Sequence, residues 1–109
     1  MGAGLNNQEA KTDAGKPQLT LVPKEIIYRI AEVRRYGVMK YPDGGKDNWR
    51  RVEPQRYWDA CVRHIIAALD DYKKTDEESG LLHLSHAACN LAFLLEMMKE
   101  ESDDNSGGV

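Results

Sequence analysis

The stretch from Leu81 to about Lys99 constrains this chain more than any other part of it. Its spacing predicts a helix, and leucine, alanine, methionine, Cys89 and Phe93 occupy nearly the whole circumference. A helix that is apolar all round is buried in the middle of something. The chain is only 109 residues long, one domain's worth. Two further helices are too few to cover such a surface. The expected architecture is therefore an all-α, small helical bundle of about three main helices, completed by homo-oligomerisation.

The two other helices are legible from their ends. Pro23 followed by Lys24 and Glu25 opens the first, Ile26, Ile27, Ile30 and Val33 recur at helical spacing, and Gly37 is the expected stop. Pro54 opens the second, where Trp58, Cys61, Val62, Ile65, Ile66 and Leu69 make one apolar side. Between them, Val38 to Glu53 carries the turn signal Tyr41-Pro42-Asp43-Gly44-Gly45 and reads as a loop long enough to need a reason. A polar linker, Lys73 to Gly80, leads into the third helix. No segment alternates like a strand over more than four residues. Residues 1–15 and 102–109 are polar and read as disordered tails, leaving 16–101 as the folded domain.

Composition narrows the function. Fifteen Lys plus Arg stand against eighteen Asp plus Glu, a net charge of -3, so no general electrostatic pull draws the chain to nucleic acid. No apolar run approaches the roughly 20 residues of a membrane span. The start of the chain lacks a basic segment followed by an apolar stretch, so no secretory signal is read there and the expected compartment is the cytoplasm. Cys61 and Cys89 sit inside apolar helical patterns, where a cysteine is usually a small core residue.

Candidate chemistry concentrates in a few places. His83, His86 and Asn90, at i, i+3 and i+7, stand on one stripe of the third helix that continues into Phe93, Leu94 and Met97. They point either to a metal or phosphate site or to a satisfied hydrogen-bond network between helices. On the second helix, Asp59 and Arg63 at i, i+4 suit a surface ion pair, while His64 lies on the border that can face the third helix. Glu32 is either part of a solvated face or a carboxylate ligand for a hard divalent cation, with Asp59 or Glu78 as a second one. Asp76-Glu77-Glu78 before Ser79 serves helix capping as well as it serves catalysis. In the long loop, Lys40, Tyr41, Asn48 and Trp49 suit a nucleotide pocket, with lysine for phosphate, tryptophan for stacking and asparagine for a base edge, or else Trp49 docks on the core. No GxxxxGK[ST], GxSxG or HExxH motif is present, nor an adjacent His-Asp dyad.

Taken in order, Gly15-Lys16-Pro17-Gln18-Leu19-Thr20-Leu21-Val22-Pro23, Ala31-Glu32, Tyr36-Gly37, Lys40-Tyr41, Asn48-Trp49, Asp59-Ala60, Arg63-His64, Glu78-Ser79-Gly80 and His83-Leu84-Ser85-His86-Ala87-Ala88-Cys89-Asn90 resemble a family of small phage and prophage proteins. That family is named after the N-terminal domain of dATP/dGTP diphosphohydrolases. The resemblance spans Gly15 to Glu96 and implies an all-α protein akin to MazG-like nucleoside triphosphate pyrophosphohydrolases. Such an enzyme cleaves a purine deoxynucleoside triphosphate between its α and β phosphorus, leaving the monophosphate and pyrophosphate, with Mg²⁺ (or Mn²⁺) held by helical carboxylates.

The chain departs from the MazG pattern in having no Glu-Glu-x-x-Glu and no Glu-x-x-Asp on the next helix. Glu32 and Asp59 are the nearest stand-ins as metal ligands. On this reading His64, His83, His86 and Glu78 are the catalytic groups. Lys40 and Arg63 meet phosphate, and Asn48, Trp49 and Asn90 meet base and sugar. A domain named as N-terminal implies a following one, so activity is expected from an oligomer or with a partner, in the host cytoplasm if phage-encoded. The alternatives are a non-catalytic nucleotide-binding module, or a small helical phage–host interaction protein whose His and Asn groups are structural.

Overall fold

The computed structural model describes residues 14–107, so most of the N-terminal segment read as a tail lies outside the described residues. Three helices carry the fold: α1 (Glu25–Lys40), α2 (Pro54–Ala67) and α3 (His83–Gly107). Short 3-10 turns lie at Leu19–Leu21 and Asn48–Arg51, and no strand occurs among the described residues beyond one isolated bridge, Thr75 with Leu82. No helix among them is long and apolar enough to cross a membrane.

The most apolar helix is the centre, as its pattern required. Helices α1 and α2 and the Asn48–Arg51 turn each pack on α3, and α1 and α2 do not pack on one another. Closest approach is made by small side chains: Cys61 of α2 and Ala87 and Cys89 of α3 are buried, with Ser85 beside them. The Cys61 thiol reaches the Ala87 carbonyl oxygen at 3.6 Å. Small residues let the two backbones come close, but they remove little apolar area from water. Much of the rest stays open. On α2, Val62, Ile65 and Ile66 remain exposed, and on α3 so do Leu84, Leu91, Leu95 and Met98. A single chain therefore leaves part of its central helix uncovered.

Three boundaries differ from the sequence reading. Helix α1 does not stop at Gly37 but runs to Lys40, where the Tyr41 N–H bonds back to the Gly37 carbonyl. Gly37 keeps an ordinary helical φ, and a glycine inside a helix costs only about 1 kcal/mol. This extra turn sets Lys40 on a helix instead of in a loop. Helix α3 starts at His83, two residues later than expected, because Asp76 and Leu81 close a turn first. It also continues to Gly107, into the segment read as a polar tail, with Lys99 and Asp103 paired at 3.2 Å.

Between α1 and α2 the chain is pinned from three sides. The Arg34 guanidinium donates to the Lys46 carbonyl at 2.7 Å, the Tyr57 hydroxyl donates to the Trp49 carbonyl at 2.8 Å, and Arg50 is ion-paired with Glu100. The Trp49 ring stacks on Phe93 with centroids 4.8 Å apart. Of the two readings of Trp49, docking on the core is the one that describes this ring face.

Candidate functional site

Five segments of the fold wall one cleft of about 370 Å³: α1, the long loop, α2, the turn before α3, and α3 itself. Helix α1 supplies Arg34 and Lys40, on a stripe completed by Gly37, whose missing side chain keeps that wall low. The loop supplies Asn48 and Trp49, α2 supplies His64, and α3 supplies His86 and Asn90. Asp76 and Glu78 come from the intervening turn.

That turn is tightly built. The Asp76 carboxylate accepts the Ser79 N–H at 2.9 Å, the Gly80 N–H reaches the Asp76 carbonyl at 2.8 Å, and Gly80 sits at φ 74°. Left-handed backbone of this kind suits glycine because it has no Cβ to clash. Asp76 and His83 flank the Thr75–Leu82 bridge, and the His83 N–H donates to the Lys74 carbonyl at 3.0 Å. Side chains on either side of the turn are thus held in register by main-chain bonds.

Three imidazoles meet here. His64 Nδ1 lies 2.8 Å from His83 Nδ1, and the His64 ring stacks on His86 with centroids 4.6 Å apart and planes 13° from parallel. His86 Nε2 shares a 2.7 Å hydrogen bond with the Ser79 hydroxyl. The Asn90 amide nitrogen is engaged with the His86 carbonyl at 3.0 Å. Burial, reinforced by the neighbouring His86 and His83, lowers the His64 pKa to about 4. Burial also lowers that of His86, against the pull of Asp76. Both rings are therefore neutral near pH 7, with ring nitrogens able to accept a proton or a metal ion.

The charged groups are arranged around them. Burial works to raise the Asp76 pKa, but the Ser79 hydrogen bonds outweigh it and keep the carboxylate ionised. Lys40 and Glu78 form an ion pair that lowers the Glu78 pKa and raises that of Lys40. Burial raises both thiols, Cys89 to about 11, so neither is an activated nucleophile.

Of the residues singled out in the sequence, Lys40, Asn48, Trp49, His64, Glu78, His86 and Asn90 line this one cleft, and His83 stands behind His64. Three do not reach it. Glu32 pairs with Arg29 at 3.4 Å and lines a separate depression of about 200 Å³ with Arg35, Tyr36 and Ser79. Asp59 is exposed and accepts the Gln55 amide at 3.1 Å, and among the described residues no ion pair joins it to Arg63. Arg63 is exposed too. Five positions before His64, Asp59 is turned about 140° around α2 from it, and Arg63 about 100°. Glu32 and Asp59 thus do not come together as a ligand pair for Mg²⁺ in the cleft.

The sequence reading missed Arg34 and did not set Asp76 among the site residues, since capping explained Asp76-Glu77-Glu78 as well as catalysis did. Arg34 shares the i, i+3 stripe with Gly37, which was the available signal. Asp76 carried a weaker one, three residues ahead of a Ser-Gly pair.

Fold and cleft define the class: a small all-α domain with a site built of histidines, carboxylates, amides and two cations. The chain belongs to the dATP/dGTP diphosphohydrolase N-terminal domain family, whose model matches residues 6–106. It is 34% identical over 96 residues to a dATP/dGTP diphosphohydrolase of Salmonella phage PMBT28, a match that takes in 86% of this chain and 32% of that relative. The chain thus spans about a third of the length of the curated relative it matches. No solved structure matches it.

Proposed function

We propose that the cleft binds a purine deoxynucleoside triphosphate and hydrolyses it to the monophosphate and pyrophosphate. One observation carries this reading: cations, amides and neutral imidazoles from separate segments line a single cleft in a chain of this family. Arg34 and Lys40 are the groups placed to neutralise phosphate, Arg34 by a planar fork and Lys40 as a point charge. Asn48 and Asn90 meet the base and sugar, beside the wall that Trp49 forms with Phe93. A neutral imidazole, that of His86, accepts the proton of a water whose oxygen attacks the α phosphorus as the bond to the bridging oxygen breaks. Glu78, with the phosphate oxygens, would hold a divalent cation, Mg²⁺ or Mn²⁺, arriving on the triphosphate, which would neutralise the charge of the leaving pyrophosphate. The working unit in this reading is a homo-oligomer in the cytoplasm.

The test is incubation of the purified chain with each deoxynucleoside triphosphate and Mg²⁺ or Mn²⁺, with chromatography for the monophosphate and an assay for pyrophosphate. Conversion of dATP or dGTP supports the reading. Thermal stabilisation by a nucleotide without product marks a binding module instead, and neither effect with any nucleotide overturns both.

A further inference from the structure

We infer that His64, Asp76 and His83 form a binding site for a divalent first-row transition-metal ion. One ligand atom from each of the three lies within 4.8 Å of the other two, and all three residues are half-buried. The two imidazole Nδ1 atoms are 2.8 Å apart. Two nitrogens bound at ~2.1 Å to one ion in an octahedral arrangement stand roughly 3 Å apart, so little movement is needed.

The site is prepared by its surroundings. His64 is neutral and Asp76 ionised at neutral pH, the forms in which each binds a metal. One Asp76 oxygen already accepts the Ser79 N–H, which fixes the carboxylate and leaves the other oxygen to coordinate. Asp76 and His83 each adjoin a residue of the antiparallel Thr75–Leu82 bridge, one on either side of it, so main-chain pairing fixes these two ligands diagonally across the bridge while α2 brings His64. Two rings held nitrogen to nitrogen have one Nδ1–H between them; when that proton moves to the Nε2 of its own ring, both Nδ1 lone pairs are free to bind one cation.

The donor set selects the ion. Two imidazoles and one carboxylate suit Mn²⁺, Fe²⁺, Co²⁺ or Zn²⁺, whereas Mg²⁺ and Ca²⁺ prefer oxygen alone. Three protein ligands leave positions for water or a substrate oxygen, as in catalytic rather than structural sites. Because His64 and Asp76 both line the cleft, those positions belong on its side. The assignment goes beyond the nucleotide reading and holds whether or not the cleft takes a triphosphate.

The experiment uses the full chain stripped with a chelator and titrated with Co²⁺, followed by visible absorption, then with Zn²⁺ and Mg²⁺ by calorimetry. The expected result is one Co²⁺ per chain with a visible absorption band, displacement by Zn²⁺, and no competition by Mg²⁺ at equal concentration. Asp76→Asn and His83→Gln, with folding checked by circular dichroism, each weaken Co²⁺ binding about tenfold or more, while Asp59→Ala leaves it unchanged. Zn²⁺ should also shift the Nδ1 resonances of His64 and His83 in long-range ¹H–¹⁵N spectra, a readout that needs no variant. Failure to bind Co²⁺ or Zn²⁺, or Zn²⁺ binding that leaves both resonances in place, overturns the site without touching the hydrolysis assay. Loss of hydrolysis with metal binding intact overturns the nucleotide reading alone.

Discussion

Lys40, on the last turn of α1, is ion-paired with Glu78 of the turn before α3, so two segments 38 residues apart meet across the cleft. The pair is exposed at both ends, and exposed pairs contribute little to stability. Its importance on the proposed reading lies in charge: a triphosphate entering the cleft competes with Glu78 for the Lys40 ammonium. Lys40→Ala is therefore expected to raise KM for the nucleotide about tenfold or more, with kcat changed less and the melting temperature nearly unmoved. Steady-state kinetics beside a thermal melt check this. A large fall in melting temperature with unchanged KM would make the pair structural.

His64 sets a pH dependence of the metal-free protein. Its pKa is about 4 in the folded chain against 6.5 ordinarily, so between those values the unfolded chain takes up a proton that the folded one does not. Stability is full above about 6.5 and falls as the pH drops towards 4. Linkage over that interval is worth roughly 3 kcal/mol, which solvent screening at this half-exposed ring reduces to about 1–2 kcal/mol. His86 shifts in the same direction. Melting in the presence of a chelator from pH 7.5 to 4.5 should show the decline, and His64→Gln should flatten it. An unchanged slope in that variant would assign the decline to His86 and the carboxylates.

Two glycines on the cleft are expected to respond oppositely to alanine. A Cβ at Gly45 would stand 2.1 Å from the Tyr41 carbonyl oxygen and 3.1 Å from the Val38 Cα, both backbone atoms that cannot step aside. Gly45→Ala must shift the loop, and with it Asn48 and Trp49. At Gly37 the nearest atom is the end of the Arg34 side chain at 4.0 Å, in ordinary helical backbone. Gly37→Ala is expected to stabilise by about 0.5–1 kcal/mol. Denaturant melts of the two variants check the signs, and loss of stability in both would mean that α1 needs the missing side chain for cleft packing.

The stack of Trp49 on Phe93 ties the loop to α3, and Tyr57 packs on the same ring at 4.8 Å. Removing a half-buried aromatic of this kind costs about 2–3 kcal/mol, less than at a fully buried site. Phe93→Ala should lower stability by that amount and, in a Trp58→Phe background that leaves Trp49 as the sole indole, shift its emission to the red. Emission that stays in place would show that the loop is held by Arg34 and Tyr57 without the stack.

What the sequence made legible, and what it did not, divides along physical lines. Helix periodicity located α2 with its Pro54 start, and the apolar circumference of α3 marked the central helix, because burial and period leave a local signature. His83, His86 and Asn90 could be aligned on a stripe for the same reason. The His64–His83 contact depends on how α2 lies across α3, a property of packing that neither helix encodes alone. Asp76 suited capping and catalysis equally; it accepts the Ser79 N–H in the turn ahead of α3, and the fold also carries it to the histidines. Glu32 and Asp59 were selected by residue type, and their helical phase turns them towards other neighbours.

The uncovered apolar surface leads to the last expectation. Ile66 is 60% exposed and Leu95 61% exposed, on the two helices that form the main packing of the fold, and several neighbours are open to solvent as well. A monomer in water leaves this area unpaid, at ~25 cal/mol per Å², so association of chains through it is favoured. Sedimentation at micromolar concentration should give a species larger than 12.3 kDa. Ile66→Glu and Leu95→Glu, each placing a charge in the contact, should shift it towards the monomer while circular dichroism still reports helix. A wild-type chain that sediments as a monomer at all concentrations would mean that another segment or partner covers these faces.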